Sequence, residues 1–393
     1  MRDAVIVSGV RTPMGSFQGA LSPMNVGKIG AVAVKEAVAR AGVAGEAVDG
    51  VLMGCVLSGG VGQAPARQAT LFSGLPDSVP AVTLSKVCGS GLRTVMFASS
   101  EIRAGDADIL VAGGMESMTN APYALPKARA GYRMGNGEII DTMVNDGLWD
   151  VYHNYHMGMA AELCAAEYGI TREMQDEFAI GSYRKSLDAI ERGLFKREIV
   201  PVEIPQRRGD PVVFDTDEEP FRSKLEKITG LRPAFKKDGT VTAANASSIN
   251  DGAAAVVVMS DTKAKELGVQ ARFRIVGYAS HAQAPEWFTT APAYSIQKVW
   301  KKTGLTDADI DVYEINEAFA VVSLAVNRIC DLDPAKINLR GGAIALGHPI
   351  GVSGTRILVT LMHAMEDTGA QRGLASLCIG GGEAAAMIIE RVS

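Results

Sequence analysis

Long apolar runs are missing from this chain. None of its 393 residues lies in a window approaching the roughly 18 uninterrupted apolar positions of a membrane-spanning helix. Runs of like charge are missing too: charged residues make up 21% of the sequence, and the formal net charge is −5. That balance argues against a nucleic-acid partner, although local basic patches could still meet phosphorylated ligands. Cysteine is scarce and unpaired, with five residues at 55, 88, 164, 330 and 378 and no CxxC spacing. An odd, scattered set gives no disulfide framework, so the expectation is a reducing, cytoplasmic setting with thiols either buried or reactive. The stretch 1–7 enters a strand-like run directly, without a signal peptide's apolar core or a basic amphipathic presequence, which fits the same expectation.

What the chain does have is apolar content and clustered glycine. At 47% hydrophobic residues, burial of two or three domain-sized cores is easy. Short apolar runs at 4–7, 50–53, 79–84 and 109–112 read as strands, the last ended by Gly113-Gly114. They alternate with helical spacing at 25–41, 63–72 and 92–103, a pattern of α/β layers. From about 119 to 250 the chain is richer in charge, proline and aromatics and the alternation lapses, with helical stretches at 159–168 and 172–192. This segment is too long and mixed for a linker and reads as an inserted loop domain. The pattern returns with a strand at 253–259, and the last third repeats the opening theme. The expected division is therefore an N-terminal half over 1–118 completed by 251–268, a loop domain over 119–250, and a C-terminal half over 269–393. A weak internal duplication is implied, each half placing a cysteine at a glycine turn.

Those turns carry the chemistry. The stretch from Gly341 to Gly354 holds five glycines around His348, one of only five histidines, with Pro349 fixing the direction that follows. Cys88 precedes Gly89-Ser90-Gly91 where a strand hands over to a helix. It is either a small buried hydrophobe or a nucleophile whose thiolate the helix N-terminus favours. Cys378 precedes Gly380-Gly381-Gly382 and is either a packed strand-end thiol or a reactive one, with the Gly380 N–H available to an oxyanion. His348 is a hydrogen-bonded turn residue or an acid/base. Taken alone, Asn316-Glu317-Ala318-Phe319 reads best as a helix cap with Glu in the first turn.

As a set, the residues resemble the thiolases, acyl-CoA acetyltransferases, over essentially the whole chain. Lys86-Val87-Cys88-Gly89-Ser90-Gly91-Leu92-Arg93 resembles the family's nucleophile block. Asn316–Phe319 resembles its NEAF block, 341–349 its GGAIALGHP block, 378–382 its CxG block, and 245–255 a fifth signature. The resemblance implies a five-layered α-β-α-β-α fold of duplicated halves with an inserted loop domain that covers the coenzyme A site. It implies a reversible, ping-pong Claisen condensation of two acetyl-CoA to acetoacetyl-CoA plus CoA. Cys88 would be acylated, His348 would activate it, and Cys378 would be the second acid/base. Asn316 would hold a water beside His348, and the N–H groups of Cys88 and Gly380 would hold the tetrahedral oxyanion. CoA would be substrate and product, with no separate cofactor and no metal.

By the same resemblance His156 faces the acyl oxygen region and Met157 lines a small acyl pocket, in the manner of short-chain, biosynthetic-type members. Leu148, Arg222, Ala243 and Ser247 would contact CoA, while Phe235, Ala318 and Phe319 would line the pantetheine tunnel. Phe288, in a Phe-x-x-Ala-Pro string with Ala291 and Pro292, is closer to the mitochondrial acetoacetyl-CoA thiolase, whose members also take 2-methyl-branched acyl groups. A homotetramer built as a dimer of dimers is implied. A ketoacyl-carrier-protein synthase is the competing enzyme class, disfavoured because Asn316 and Cys378 stand in place of a second histidine. A non-catalytic CoA or lipid carrier would need none of Cys88, Asn316, His348 and Cys378. A cysteine peptidase lacks its local motifs here.

Overall fold

Two copies of one β-α plan emerge from the alternating apolar runs. In the computed structural model, which describes residues 2–392, the first copy begins with β1 (Ala4–Arg11), α1 (Val26–Ala41), β2 (Gly50–Gly54) and α2 (Pro65–Phe72). It continues through β3 (Ala81–Leu84), α3 (Ser90–Ala104) and β4 (Ile109–Ser117). An insertion then carries α4 (Met157–Glu167) and α5 (Arg172–Glu191), and β5 (Asn250–Ser260) closes the copy. The second copy runs β6 (Phe273–Ala282), α6 (Ala291–Thr303), β7 (Val312–Ile315), α7 (Ala320–Cys330), α8 (Ser353–Thr368), β8 (Arg372–Ile379) and β9 (Glu383–Arg391).

The duplication is explicit in the strand pairing. In the first half β3, β2 and β4 are parallel neighbours, and β4–β5 and β5–β1 are antiparallel. In the second, β7 and β8 are parallel, and β8–β9 and β9–β6 are antiparallel. A single parallel bridge from Tyr313 to Ile337 stands where β3 stands in the first half. The halves join through a two-residue antiparallel contact, Val5 to Arg274 and Ile6 to Phe273, giving one ten-stranded sheet.

Packing produces the expected five layers. On one outer face Ile29 and Val34 of α1 cover Val51, Met53, Val111 and Val257. Between the halves, Leu92, Val95 and Ile102 of α3 meet Ile357, Leu361 and Met365 of α8, with strand residues of both halves above and below. On the far face Ile296 and Val299 of α6 and Val321 and Val322 of α7 cover Tyr313 and Ile388. Every residue from Ser353 to Met365 is buried, as a helix covered on all sides must be.

One strand reading needs correction. Gly113-Gly114 does not end β4, which continues to Ser117 in register with Asp251 of β5. A side chain at either glycine would collide with neighbouring backbone, at Gly113 with the Ala254 carbonyl of β5, so the pair marks close approach rather than a turn. The insertion between β4 and β5 forms three short hairpins, Tyr123–Ala124 with Ile140–Asp141, Trp149–Asp150 with Tyr155–His156, and Val202–Ile204 with Val212–Phe214. Its helices α4 and α5 pack against α7. Among the described residues no helix is long and apolar enough to cross a membrane.

Candidate active site

Cys88 stands in the tight turn between β3 and α3. Gly89 N–H donates to the Lys86 carbonyl at 3.0 Å and Ser90 N–H to the Val87 carbonyl at 3.1 Å. The Ser90 hydroxyl donates to Val87 O at 2.7 Å and accepts from Lys86 N–H at 2.8 Å. Val87 takes φ +45°, a left-handed conformation that a β-branched residue adopts only under constraint. Strain therefore sits next to the half-buried sulfur. Burial pushes the Cys88 thiol up to about 11; backbone N–H groups of Gly380 and of Cys88 itself pull the other way, and the charge of Glu116 adds to the rise. The N–H groups at the helix start do favour the thiolate, but desolvation is the larger effect.

His348 comes to the same place from the second half. Gly347 has φ +99°, and a Cβ there would collide with the Asn250 side chain, whose Oδ1 accepts the His348 N–H at 2.9 Å. Nδ1 of His348 lies 2.5 Å from Ser353 Oγ and 3.5 Å from Asn316 Nδ2. Nε2 is buried without a hydrogen-bond partner among the described residues. Burial, reinforced by the Arg356 guanidinium, pushes the imidazole down to about 3, so it rests neutral and able to accept a proton.

Asn316 is buried at the end of β7, its N–H donating to Ser376 O at 2.9 Å. Arg356 reaches Asn316 Oδ1 at 3.5 Å, which turns the carboxamide NH2 toward His348. The block 316–319 is not a helix cap. Phe319 precedes α7 without any side-chain cap, and the segment is held extended by an Ala246–Phe319 bridge and by Ala320 N–H donating to Asn245 O at 2.8 Å. Glu317 is buried, accepting from Ser182 Oγ at 2.6 Å and Asn338 Nδ2 at 2.8 Å.

Cys378 lies near the end of β8, opposite Ala384 in the β8–β9 hairpin whose loop is Gly380-Gly381-Gly382. It is buried, and burial followed by the neighbouring Cys88 raises its thiol well above the ordinary value. Both cysteines are thus thiols at rest, near enough to affect each other.

The two thiols and the imidazole line one cavity of about 280 Å³. Cys88, His348, Cys378 and Gly380 share it with Leu148, His156, Met157, Phe235, Ser247, Phe288, Ala318 and Phe319. His156 caps α4: its Nδ1 accepts Gly158 N–H at 3.1 Å, which puts the neutral ring's proton on Nε2. Its ring stacks on Phe235 at 4.6 Å, and Phe319 meets Phe235 and Phe288 edge-on at 6.2 and 6.3 Å. Ser247 donates from both its N–H and its hydroxyl to the Ala318 carbonyl, at 3.0 and 2.9 Å. Arg222 and Ala243 are not brought into this cavity; both lie at exposed positions outside it. Asn316 stands behind His348 rather than on the wall. The residue-by-residue reading missed Met118, Gly147 and Ile350 on the lining, and gave no role to Val87, Ala246, Ser248 and Ile249, which it quoted only within longer blocks. Adjacency to His348-Pro349 was the available signal for Ile350, and nothing local marks Met118.

All five cysteines are free, and among the described residues no three His, Cys, Asp or Glu side chains gather as a metal-binding group. Family models for the thiolase N-terminal domain and the thiolase C-terminal domain match residues 4–262 and 269–391. The chain belongs to the thiolase family. This thiolase is 55% identical over 392 residues to the acetyl-CoA acetyltransferase of Cupriavidus necator, covering all of both chains. It is 52% identical over 389 residues to that of Allochromatium vinosum, covering 99% of each. Its fold matches the crystal structure of the Bacillus anthracis acetyl-CoA acetyltransferase with a TM-score of 0.97 and 44% identity, covering 100% of this thiolase and 99% of that chain.

Proposed function

We propose that this thiolase is an acetyl-CoA C-acetyltransferase that interconverts two acetyl-CoA with acetoacetyl-CoA and CoA. The observation that carries the reading is two thiols and a neutral imidazole on the wall of one largely apolar cavity, with the Gly380 N–H directed at the Cys88 sulfur. Relatives of that name at 50% identity or more over the full length support it.

In synthesis, Nε2 of His348 takes the Cys88 proton as sulfur attacks the thioester carbonyl of acetyl-CoA. The tetrahedral oxyanion is held by the N–H groups of Cys88 and Gly380 and collapses to acetyl-Cys88, while the CoA thiolate leaves with the proton from His348. Cys378 gives its own thiol proton to Nε2 of His348, which returns it to the Cys88 sulfur when that leaves, and as the thiolate Cys378 takes a methyl proton of a second acetyl-CoA, whose enolate oxygen faces His348 and a water on Asn316. The carbanion attacks acetyl-Cys88, expels the Cys88 thiolate and gives acetoacetyl-CoA. Cleavage is the reverse. Coenzyme A is substrate and product, and the reaction as proposed uses no other cofactor and no metal.

The pantetheine arm is assigned to the tunnel between Leu148, Ser247, Phe235, Ala318 and Phe319, and Arg222 and Ala243 to the outer, nucleotide end of CoA. His156 donates from Nε2 toward the acyl oxygen, and Met157 and Phe288 bound the acyl group. A homotetramer is supported by the open edge of β3, where Val82 is 54% exposed, and by exposed Tyr123, Leu125, Met134 and Ile139 within 119–141. We place the enzyme in the cytoplasm.

The test is CoA-dependent cleavage of acetoacetyl-CoA, 2-methylacetoacetyl-CoA and 3-ketohexanoyl-CoA by the purified protein. Activity confined to the first is the expected result. Equal turnover of the branched substrate would move the assignment to a 2-methylacetoacetyl-CoA thiolase, strong 3-ketohexanoyl activity to a broader 3-ketoacyl-CoA thiolase, and no cleavage of any would end the acyltransferase reading.

A further inference from the structure

Glu116 is a fully buried carboxyl group that neither touches the cavity nor pairs with a cation, and burial pushes it up to about 7 against the pull of the N–H groups around it. A buried carboxyl group needs donors in place of water, and the donors here come from both halves of the molecule. Oε2 accepts the Val56 N–H at 3.0 Å and the Gly351 N–H at 2.9 Å; Oε1 accepts the Leu57 N–H at 3.1 Å and the Cys55 thiol at 3.6 Å. Residues 55–57 follow β2, whereas Gly351 belongs to the turn that begins with His348.

The fit around that turn is close. A Cβ on Gly351 would come 2.6 Å from Glu116 Oε2, one on Gly54 would come 2.8 Å from the Gly351 carbonyl oxygen, and one on Gly114 would collide with that same oxygen. The 348–351 turn is therefore seated on the ends of β2 and β4, and Glu116 is the group that fastens it. Ile350, between His348 and the fastened residue, packs with Leu57 and Met118 and lines the cavity beside Cys88.

We propose that Glu116 is a positioning residue for acyl transfer: by bridging the 55–57 loop of one half to Gly351 of the other, it fixes His348 and Ile350 relative to Cys88. This rests on the acyl-transfer reading above. Glutamine in its place keeps the volume but presents one acceptor and one donor group, so one of the two oxygen sites must face N–H groups with an NH2.

The experiment is steady-state cleavage of acetoacetyl-CoA, with thermal midpoints, for the full-length wild type, Glu116→Gln and Glu116→Asp. Glu116→Gln is expected to lose on the order of 10-fold or more in kcat with KM within about twofold of wild type, as the loss of one or two buried hydrogen bonds implies. Glu116→Asp keeps both oxygens but draws them back by a methylene, and should fall between the two. A kcat within about twofold of wild type for Glu116→Gln overturns the proposal, as does a kcat loss matched by an equal rise in KM. If Glu116→Gln does not fold, Glu116→Asp decides by the same split. An inactive wild type sinks the acyl-transfer reading, whereas an active wild type beside an equally active Glu116→Gln sinks only the role of Glu116.

Discussion

Ser353 Oγ lies 2.5 Å from Nδ1 of His348 and 3.0 Å from the Pro349 carbonyl oxygen, so the first turn of α8 grips the imidazole from behind. Nε2, with no partner among the described residues, is the nitrogen left to work. Replacing Ser353 with Ala removes the shortest polar contact of the ring. Thiolysis kcat should fall on the order of 10-fold with KM little changed, while stability drops by only about 1 kcal/mol. Kinetics and denaturant unfolding of Ser353→Ala measure both, and an unchanged kcat would show that the grip is incidental.

The resting state of Cys88 gives a pH prediction. A thiol raised to about 11 is protonated at neutral pH, so alkylation of Cys88 by iodoacetamide should keep accelerating from pH 7 to pH 10. The sign follows from burial: the charged form is the one disfavoured, so more base is needed to reach it. A rate that levels off below pH 8 would mean a preformed thiolate and a smaller part for His348.

Lys86 and Glu383 tie the two cysteine turns together, with Nζ 2.5 Å from Oε2 and the side chains 26% and 33% exposed. Such a partly screened pair contributes about 0.5–1 kcal/mol to stability. Its effect on turnover should be larger than its effect on folding, because it spans from two residues before Cys88 to three residues past Gly380. In a double-mutant cycle, Lys86→Met and Glu383→Gln should each lower kcat, and the double variant should be no worse than the poorer single one. Additive losses would show that the turns are set independently.

Phe288 is 3% exposed and sits on the cavity wall, edge-on to Phe319. Phe288→Ala opens the acyl end, and 3-ketohexanoyl-CoA should gain relative to acetoacetyl-CoA by roughly 10-fold or more in kcat/KM, at a stability cost of about 3 kcal/mol. An unchanged ratio places the chain-length limit elsewhere on the wall.

Much of this could be read without coordinates, for identifiable reasons. Cys88, His348 and Cys378 stood out because glycine accumulates where backbone must bend around a reacting group, and that is a local signal. The strand and helix alternation was legible because one face of each element is apolar. The settings of Glu116 and Ser353 were not legible. A glutamate two residues past a glycine pair looks like part of an exposed turn, and a serine at a helix start looks like an ordinary first-turn residue. What gives Glu116 its setting is a backbone N–H 235 residues away, which no local pattern encodes. The strain at Val87 was equally hidden, since valine by itself argues for extended backbone. Burial misled in the other direction: the helix start after Cys88 was visible in the sequence, but the desolvation that outweighs it was not.

The central layer has a consequence for how such a molecule can change over generations. Helices α3 and α8 cover one another, and each carries to its N-terminus a turn that the other half completes. Neither half is a smaller version of the whole, so a lineage cannot discard one and keep the other. A substitution that thickens α3 must be answered on α8, which couples the drift of two segments about 260 positions apart in the chain. The symmetry survives in the strand order, but the two turns differ, one presenting Cys88 and the other His348, and are not interchangeable.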